Sequence, residues 1–353
     1  MRKRTGTHNT KEQRIGVKAE VVSAQMRTGS HWLWWFNRGL LVVGLIYLST
    51  PFMMRPEIIK QIVYSHRVRV PFFIDHNQPA ELSLNHTVNM YLTSEQGISL
   101  GLWHTVPESQ WKEAQGKALD WYQWSLGDGS PIVIYLHGNT NTRAASHRVG
   151  VVKILSALGY HAFSFDYRGF GDSSGEPTEV GLTTDALYLY HWVKARSGNS
   201  PVILWGHSLG TGVTTNTAAK LMEQGIVVDG VILEGAFANA RRVGNIHPFS
   251  WYYWNFPGFE YFNPLPEYKL AFPNDENLNK MRSPLLILHA EDDQLASIDV
   301  AQQLYEIAQR AQMSKNRVKM VRFNGFHGYL HNGLYKDPGL PDIIRDFVQS
   351  LAP

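Results

Sequence analysis

A chain of 353 residues with 44% apolar and 18% charged side chains can bury one large core plus a short appendage, which excludes a disordered protein. The net charge of +3 is too small for a nucleic-acid-binding face, so no nucleic-acid partner is expected. The absence of cysteine removes disulfides, thiolate catalysis and Cys-ligated zinc. Residues 1–31 are polar, rich in Lys, Arg, Thr and Gly, and lack periodicity, which predicts a disordered tail. Residues 32–54 follow, with Trp32, Trp34 and Trp35 at their start and an uncharged run from Gly39 to Met54. With the aromatics included, this stretch suffices for the roughly 20 residues that cross a bilayer, and the preceding Lys/Arg excess would keep the tail cytosolic. The expectation is a spanning anchor; a helix lying in the interface and a soluble core helix are the alternatives.

From residue 85 to 353 the pattern is that of one catalytic domain. An antiparallel pair is expected at 87–92 and 98–105, then strands at 132–137, 161–166, 202–206, 231–234, 285–289 and 318–323. Their near-continuous Val, Ile and Leu content suits strands covered on both faces, and helical periods fall between them, as at 149–158 and 182–194. That order predicts an α/β fold with a doubly wound, mostly parallel sheet. The long stretch without sheet signals, 237–280, is expected to form a lid, with dense aromatics from Phe249 to Phe262 suited to acyl chains.

Gly206-His-Ser208-Leu-Gly210 joins the strand at 202–206 to a helical period at 209–221. A nucleophile on a sharp strand-to-helix turn has a strained backbone, and glycines on either side avoid clashes, so Ser208 is the candidate nucleophile. Acyl transfer also needs donors for an oxyanion. One is expected from the backbone N–H of Leu209 at the helix start. The second is expected from the loop His137-Gly-Asn-Thr140, at Asn139 in preference to Thr140, with His137 shaping that loop.

A serine hydroxyl is inert near neutral pH unless a histidine takes its proton and a carboxylate orients that histidine. In this fold the order along the chain is Ser, acid, His. After the strand at 285–289 come Glu291, Asp292 and Asp293. The pattern His-Gly-x-x-Asp selects Asp293 as the fifth residue from His289; Asp292 is the runner-up, and Glu234 is a candidate for an alternative acid position. After the last strand stand two histidines, His327 and His331, of which the former lies nearer the strand.

The motifs Trp103-His-Thr-Val-Pro107, Phe165-Asp-Tyr-Arg-Gly-Phe-Gly-Asp172, Trp205-Gly-His-Ser-Leu-Gly-Thr-Gly-Val213 and Pro284-Leu-Leu-Ile-Leu-His-Ala-Glu-Asp-Asp293 carry a resemblance. From about Asn85 onward the chain resembles the membrane-anchored α/β-hydrolase domain-containing proteins twelve and twelve-B, a group of lysophosphatidylserine and monoacylglycerol lipases. The resemblance implies a single-pass anchor, a catalytic domain in the lumen of the endoplasmic reticulum, and hydrolysis of lysophospholipid and monoacylglycerol esters. It also implies that His331 is the base, because His331 precedes Leu334-Tyr-Lys-Asp-Pro338 and Leu340-Pro341 at the interval seen in that group. The loop after Asp293, Gln294-Leu-Ala-Ser, departs from the group's Pro-Val-Val-Pro run.

Asn85-His-Thr87 is an N-glycosylation sequon, usable only if this part of the chain enters the lumen. Arg143, His147 and Arg148 are candidates to meet a lipid head group. The expected partners are a lipid ester and a membrane, with no cofactor and no metal. The alternatives are a peptidase built on the same three residues and a non-catalytic member of the fold.

Overall fold

In the computed structural model the described residues are 32–45, 48–49, 61, 63–69, 74–239, 272–312 and 317–351. The chain divides into two compact units, Met1–Arg55 and Pro56–Pro353. In the first unit, residues 32–45 and 48–49 are helical and Trp32, Trp35, Leu40 and Leu41 are exposed. Among the described residues no helix is long and apolar enough to cross a membrane. The expected disordered tail, 1–31, and residues 46–47 and 50–54 of the expected anchor lie outside the described residues.

The second unit is built on one eight-stranded sheet: β1 (Thr87–Glu95), β2 (Ile98–Thr105), β3 (Ile132–Leu136), β4 (His161–Phe165), β5 (Val202–His207), β6 (Gly230–Glu234), β7 (Leu285–Ala290) and β8 (Val318–Phe323). Its spatial order is β1-β2-β4-β3-β5-β6-β7-β8. β1 pairs antiparallel with β2, and β2 antiparallel with β4; every later pair is parallel. The central strands β3, β6 and β7 are buried along their whole length and largely apolar because helices cover both faces, whereas the edge strand β8 exposes Lys319 and Arg322.

The helices are α1 (Trp111–Ala114), α2 (Leu119–Ser125), α3 (Ser146–Ala157), α4 (Glu179–Lys194), α5 (Leu209–Glu223), α6 (Asn274–Leu278), α7 (Ile298–Gln312) and α8 (Leu340–Gln349). Alternation along each strand divides the core between two faces. Ile134, Leu204 and Leu233 pack with Leu189 of α4, Val213 of α5, Leu278 of α6 and Leu304 of α7. Tyr135, Trp205 and Ile232 pack with Val151 and Leu155 of α3 and with Ile344 and Phe347 of α8. Full burial of an aliphatic side chain contributes about 1.5–3 kcal/mol, so each face is held by many such terms. α4 starts at Thr178, whose hydroxyl accepts the N–H of Gly181 at 3.0 Å, a cap that satisfies one free amide of the first turn.

Packing extends upstream of residue 85, where strand-like alternation begins: Tyr64 is buried in the same cluster as Leu182 and Phe170. The ends of the expected lid region are not lid-like. Phe272, Asn274 and Leu278 are fully buried, and Asn274 accepts from Thr215 Oγ1 at 2.7 Å and donates to Thr211 Oγ1 at 3.0 Å, which anchors α6 on α5. The aromatic stretch Phe249 to Phe262 lies outside the described residues.

Candidate active site

β5 ends in a turn whose geometry explains both flanking glycines. Ser208 has φ 52° and ψ −120°, an L-residue held in the left-handed half of the map. A Cβ on Gly206 would stand 2.3 Å from Thr214 Oγ1 and 2.4 Å from the Gly210 carbonyl oxygen; one on Gly210 would stand 1.9 Å from the Leu136 carbonyl oxygen. Any side chain at either position would push α5 off the sheet. The Ser208 N–H donates to the Glu234 carbonyl at 2.9 Å, and the Ser208 carbonyl accepts from Thr211 N–H at 2.9 Å and Thr211 Oγ1 at 2.7 Å. The strained turn is therefore bonded on both sides, and Ser208 is half-buried at the C-terminal end of the sheet.

The loops after β7 and β8 bring a carboxylate and an imidazole to the same end. His331 Nδ1 donates to Asp293 Oδ2 at 2.7 Å. Asp293 Oδ1 accepts the N–H groups of Leu295 and Ala296 at 2.8 and 2.9 Å. Burial pushes the Asp293 carboxyl up, but the His331 bond and charge and the two amides outweigh it and hold it below its usual value. Nδ1 of His331 carries the proton, and Nε2, also buried, has no hydrogen-bond partner among the described residues. His207, between the elbow glycine and the serine, donates from Nε2 to the His331 carbonyl at 2.9 Å and so ties the elbow to the His331 loop. A Cβ on Gly235, which has φ +59°, would lie 3.0 Å from His331 Cε1, so the β6 turn also passes directly beside the imidazole.

Structure separates the alternatives that the sequence left open. Asp292 does not touch His331's ring; both of its oxygens accept the Leu330 N–H at 3.2 Å. His327 is exposed and stacks on Tyr329 with ring centroids 5.3 Å apart. Glu234 is buried and accepts from Trp205 Nε1 at 3.0 Å. Its carboxyl is pushed up to about 7, chiefly by burial, against the lowering effect of the Trp205 bond and of His331.

The loop expected to supply an oxyanion donor follows β3. Leu209 opens α5 directly after Ser208. A Cβ on Gly138 would meet Ser208 Cβ at 3.3 Å, which places the loop against Ser208. The N–H groups of Asn139 and Thr140 take part in no backbone hydrogen bond among the described residues. Asn139's side chain is turned the other way, donating from Nδ2 to the Val63 carbonyl at 3.1 Å. Asn141, at φ 62°, donates its N–H to the Val68 carbonyl at 3.0 Å. The stretch 63–68 thus braces this loop, a contact with no sequence signal because any residue supplies a backbone carbonyl. His137 donates from Nδ1 to the Gly138 carbonyl at 2.7 Å and shapes the loop as expected.

None of the three head-group candidates presents a cation to the site. Arg143 is fully buried and bonds Asp166 Oδ2 and Asp172 Oδ1, each at 2.6 Å. Arg148 is also buried, with its guanidinium on backbone carbonyls of the oxyanion loop. Burial drives His147 down to about 3, so its ring is neutral at ordinary pH. Asn85 is exposed in the turn before β1.

A model of the "alpha/beta hydrolase fold" family matches residues 131–261. The chain is 44% identical to the lysophosphatidylserine lipase ABHD12 of Macaca fascicularis over 99% of its own length and 88% of that protein. It is 44% identical to that of Danio rerio over 91% of this chain and 85% of the relative. It is 50% identical to human ABHD12B over 82% and 80% of the two chains. Among solved structures, an α/β-hydrolase of Vibrio vulnificus aligns with a TM-score of 0.60 at 16% identity over 84% of this chain and 94% of the other. An esterase of Pyrococcus furiosus aligns with a TM-score of 0.58 at 19% identity, over 80% and 97%. These two likenesses carry the fold alone. At 44–50% identity over most of its length, the chain belongs to the α/β-hydrolase family that contains ABHD12 and ABHD12B.

Proposed function

We propose that the chain is a serine hydrolase of lipid carboxylic esters, with Ser208 as nucleophile, His331 as general base, Asp293 as the acid, and the N–H groups of Leu209 and Asn139 as oxyanion donors. The observation that carries this reading is the 2.7 Å bond from His331 Nδ1 to Asp293, alongside a serine held on a strained elbow. His331 Nε2 takes the hydroxyl proton as Ser208 Oγ bonds to the ester carbon, and the carbonyl oxygen becomes an oxyanion held by the two amides. As the tetrahedral species collapses, the C–O bond to the alcohol breaks and His331 returns its proton to that leaving group. Water then attacks the acyl-enzyme by the same route and releases the fatty acid.

Lysophospholipids, lysophosphatidylserine among them, and monoacylglycerols are the proposed substrates, supported by relatives named lysophosphatidylserine lipase. The N-terminal tryptophans and basic residues support attachment to the endoplasmic reticulum membrane with residues 1–31 cytosolic and the catalytic unit lumenal. An exposed sequon at Asn85 supports the same topology.

A fluorophosphonate probe tests the chemistry: it should label the wild-type chain and leave Ser208→Ala unlabelled. Hydrolysis by Ser208→Ala should fall below about a hundredth of wild type, since loss of a nucleophile typically costs far more than that. A labelled Ser208→Ala variant, or a folded wild-type chain that hydrolyses dipeptides in preference to monoacylglycerol and lysophosphatidylserine, would overturn the reading.

A further inference from the structure

Arg148 is the third residue of the helix that follows the oxyanion loop, and its side chain turns back onto that loop's carbonyls. The residue is 1% exposed. Nη1 donates to the Thr142 carbonyl at 2.8 Å, and Nη2 donates to the Thr140 carbonyl and, at 3.5 Å, toward that of Gly138. No carboxylate forms an ion pair with it among the described residues; the neighbouring Asp166 is engaged by Arg143 Nη1 and by the Arg143 N–H at 2.7 Å. A buried cation without an ion-pair partner is costly to fold around, even when its protons are bonded. Here the three carbonyls alternate along the segment that supplies an oxyanion donor, and Gly138 at its start abuts Ser208.

We propose that Arg148 is a positioning residue for the oxyanion hole. Its planar fork holds the carbonyls of Thr140 and Thr142 and lies 3.5 Å from that of Gly138, which His137 Nδ1 also holds at 2.7 Å, so the two side chains together fix the back of the loop. The intervening peptide N–H of Asn139 is thereby fixed toward the oxygen that gains charge on attack by Ser208. The inference rests on the proposed ester hydrolysis and adds to it a residue that never meets substrate. The fork is what matters: a guanidinium reaches several carbonyls in one plane, whereas an ammonium is a point donor. Burial lowers the pKa of Arg148, and the nearby tyrosines Tyr135 and Tyr167 and Asp166 oppose that lowering; the group remains a cation at any working pH.

The test compares wild type, Arg148→Lys and Arg148→Met on a short soluble ester, together with the binding of two inhibitors. One is a trifluoromethyl ketone, which forms an anionic tetrahedral adduct on the serine; the other is the matching secondary alcohol, which cannot. The expected result is a fall in kcat of about ten- to a hundredfold for both variants with KM within about threefold, below the roughly hundred- to thousandfold cost of removing an oxyanion donor outright because the donor is displaced and not lost. Ketone affinity should fall in parallel, and alcohol affinity should hold. Arg148→Lys with wild-type kcat, or equal weakening of both inhibitors, would overturn the inference. Should neither variant fold, arginine-selective 15N labelling of the wild-type chain replaces them: a slowly exchanging guanidinium signal assigned to Arg148, as distinct from that of the equally buried Arg143, that shifts on ketone binding supports the proposal, and an Arg148 signal that stays put or exchanges fast refutes it. A wild-type chain that no fluorophosphonate labels would instead refute the hydrolase reading beneath it, so the two failures are distinguishable.

Discussion

Asp292 grips the peptide N–H of Leu330 with both carboxylate oxygens, each at 3.2 Å, while the next residue, Asp293, grips the ring of His331 at 2.7 Å. Two adjacent carboxylates thus hold two adjacent residues, one by its backbone and one by its imidazole. Leu330 is kept at φ 51°, a conformation that costs a leucine about 1 kcal/mol or more, and Asp292 supplies the restraint that holds it there.

This division of labour predicts unequal losses. Asp293→Ala should lower kcat by about a thousandfold or more, because the imidazole loses both its tautomer and its orientation. Asp292→Ala should cost roughly tenfold, since His207 still holds the His331 carbonyl at 2.9 Å. Steady-state rates on a short ester measure both, and a greater loss for Asp292→Ala would reverse the roles.

The two histidines after β8 should behave oppositely on substitution. His331→Ala should be inactive, and His327→Ala, whose ring stacks on Tyr329 at the surface, should retain at least about half of wild-type activity, as surface changes usually do. An active His331→Ala beside a dead, folded His327→Ala would assign the base to the other ring.

Glu234 gives the fold a pH dependence whose sign follows from its raised pKa. Burial lifts the folded-state value from 4.5 to about 7, so the folded chain holds a proton that the unfolded chain has lost. The stability that this proton carries is present in full below about pH 4.5 and lost as pH rises through 7. The loss approaches about 3 kcal/mol. Glu234→Gln keeps an acceptor for Trp205 and should make urea-unfolding free energies flatter between pH 5 and 8, with the variant the more stable at the upper end. A wild-type curve that is flat over this interval would show that Glu234 ionises freely when folded.

Gly210→Ala should prevent α5 from seating, because its methyl group would lie 1.9 Å from a backbone oxygen that cannot swing away. The expected cost is about 3 kcal/mol or more. Gly127→Ala, whose nearest contact would be 3.6 Å from the Arg196 carbonyl, serves as the control and should change the melting temperature little. Equal melting temperatures for the two variants would refute this account of the elbow.

The strands, the alternation of sheet and helix and the elbow at Ser208 were legible in the sequence because each is local: a buried strand must be apolar throughout, and a strained turn needs glycines at known offsets. Proximity was not legible. Glu291, Asp292 and Asp293 are equivalent as a string of carboxylates, and only the approach of the β8 loop to the β7 loop turns Asp293 toward an imidazole and Asp292 toward an amide. Among His327 and His331, distance from the strand favoured the wrong ring for a bond to Asp293, and resemblance was needed to choose the other. Arg143 and Arg148 read as cations free for a head group, yet folding consumes the first in two ion pairs and the second on loop carbonyls. The brace from residues 63–68 left no trace at all, since a backbone carbonyl is the same in every residue and its partner is chosen only by the packed chain.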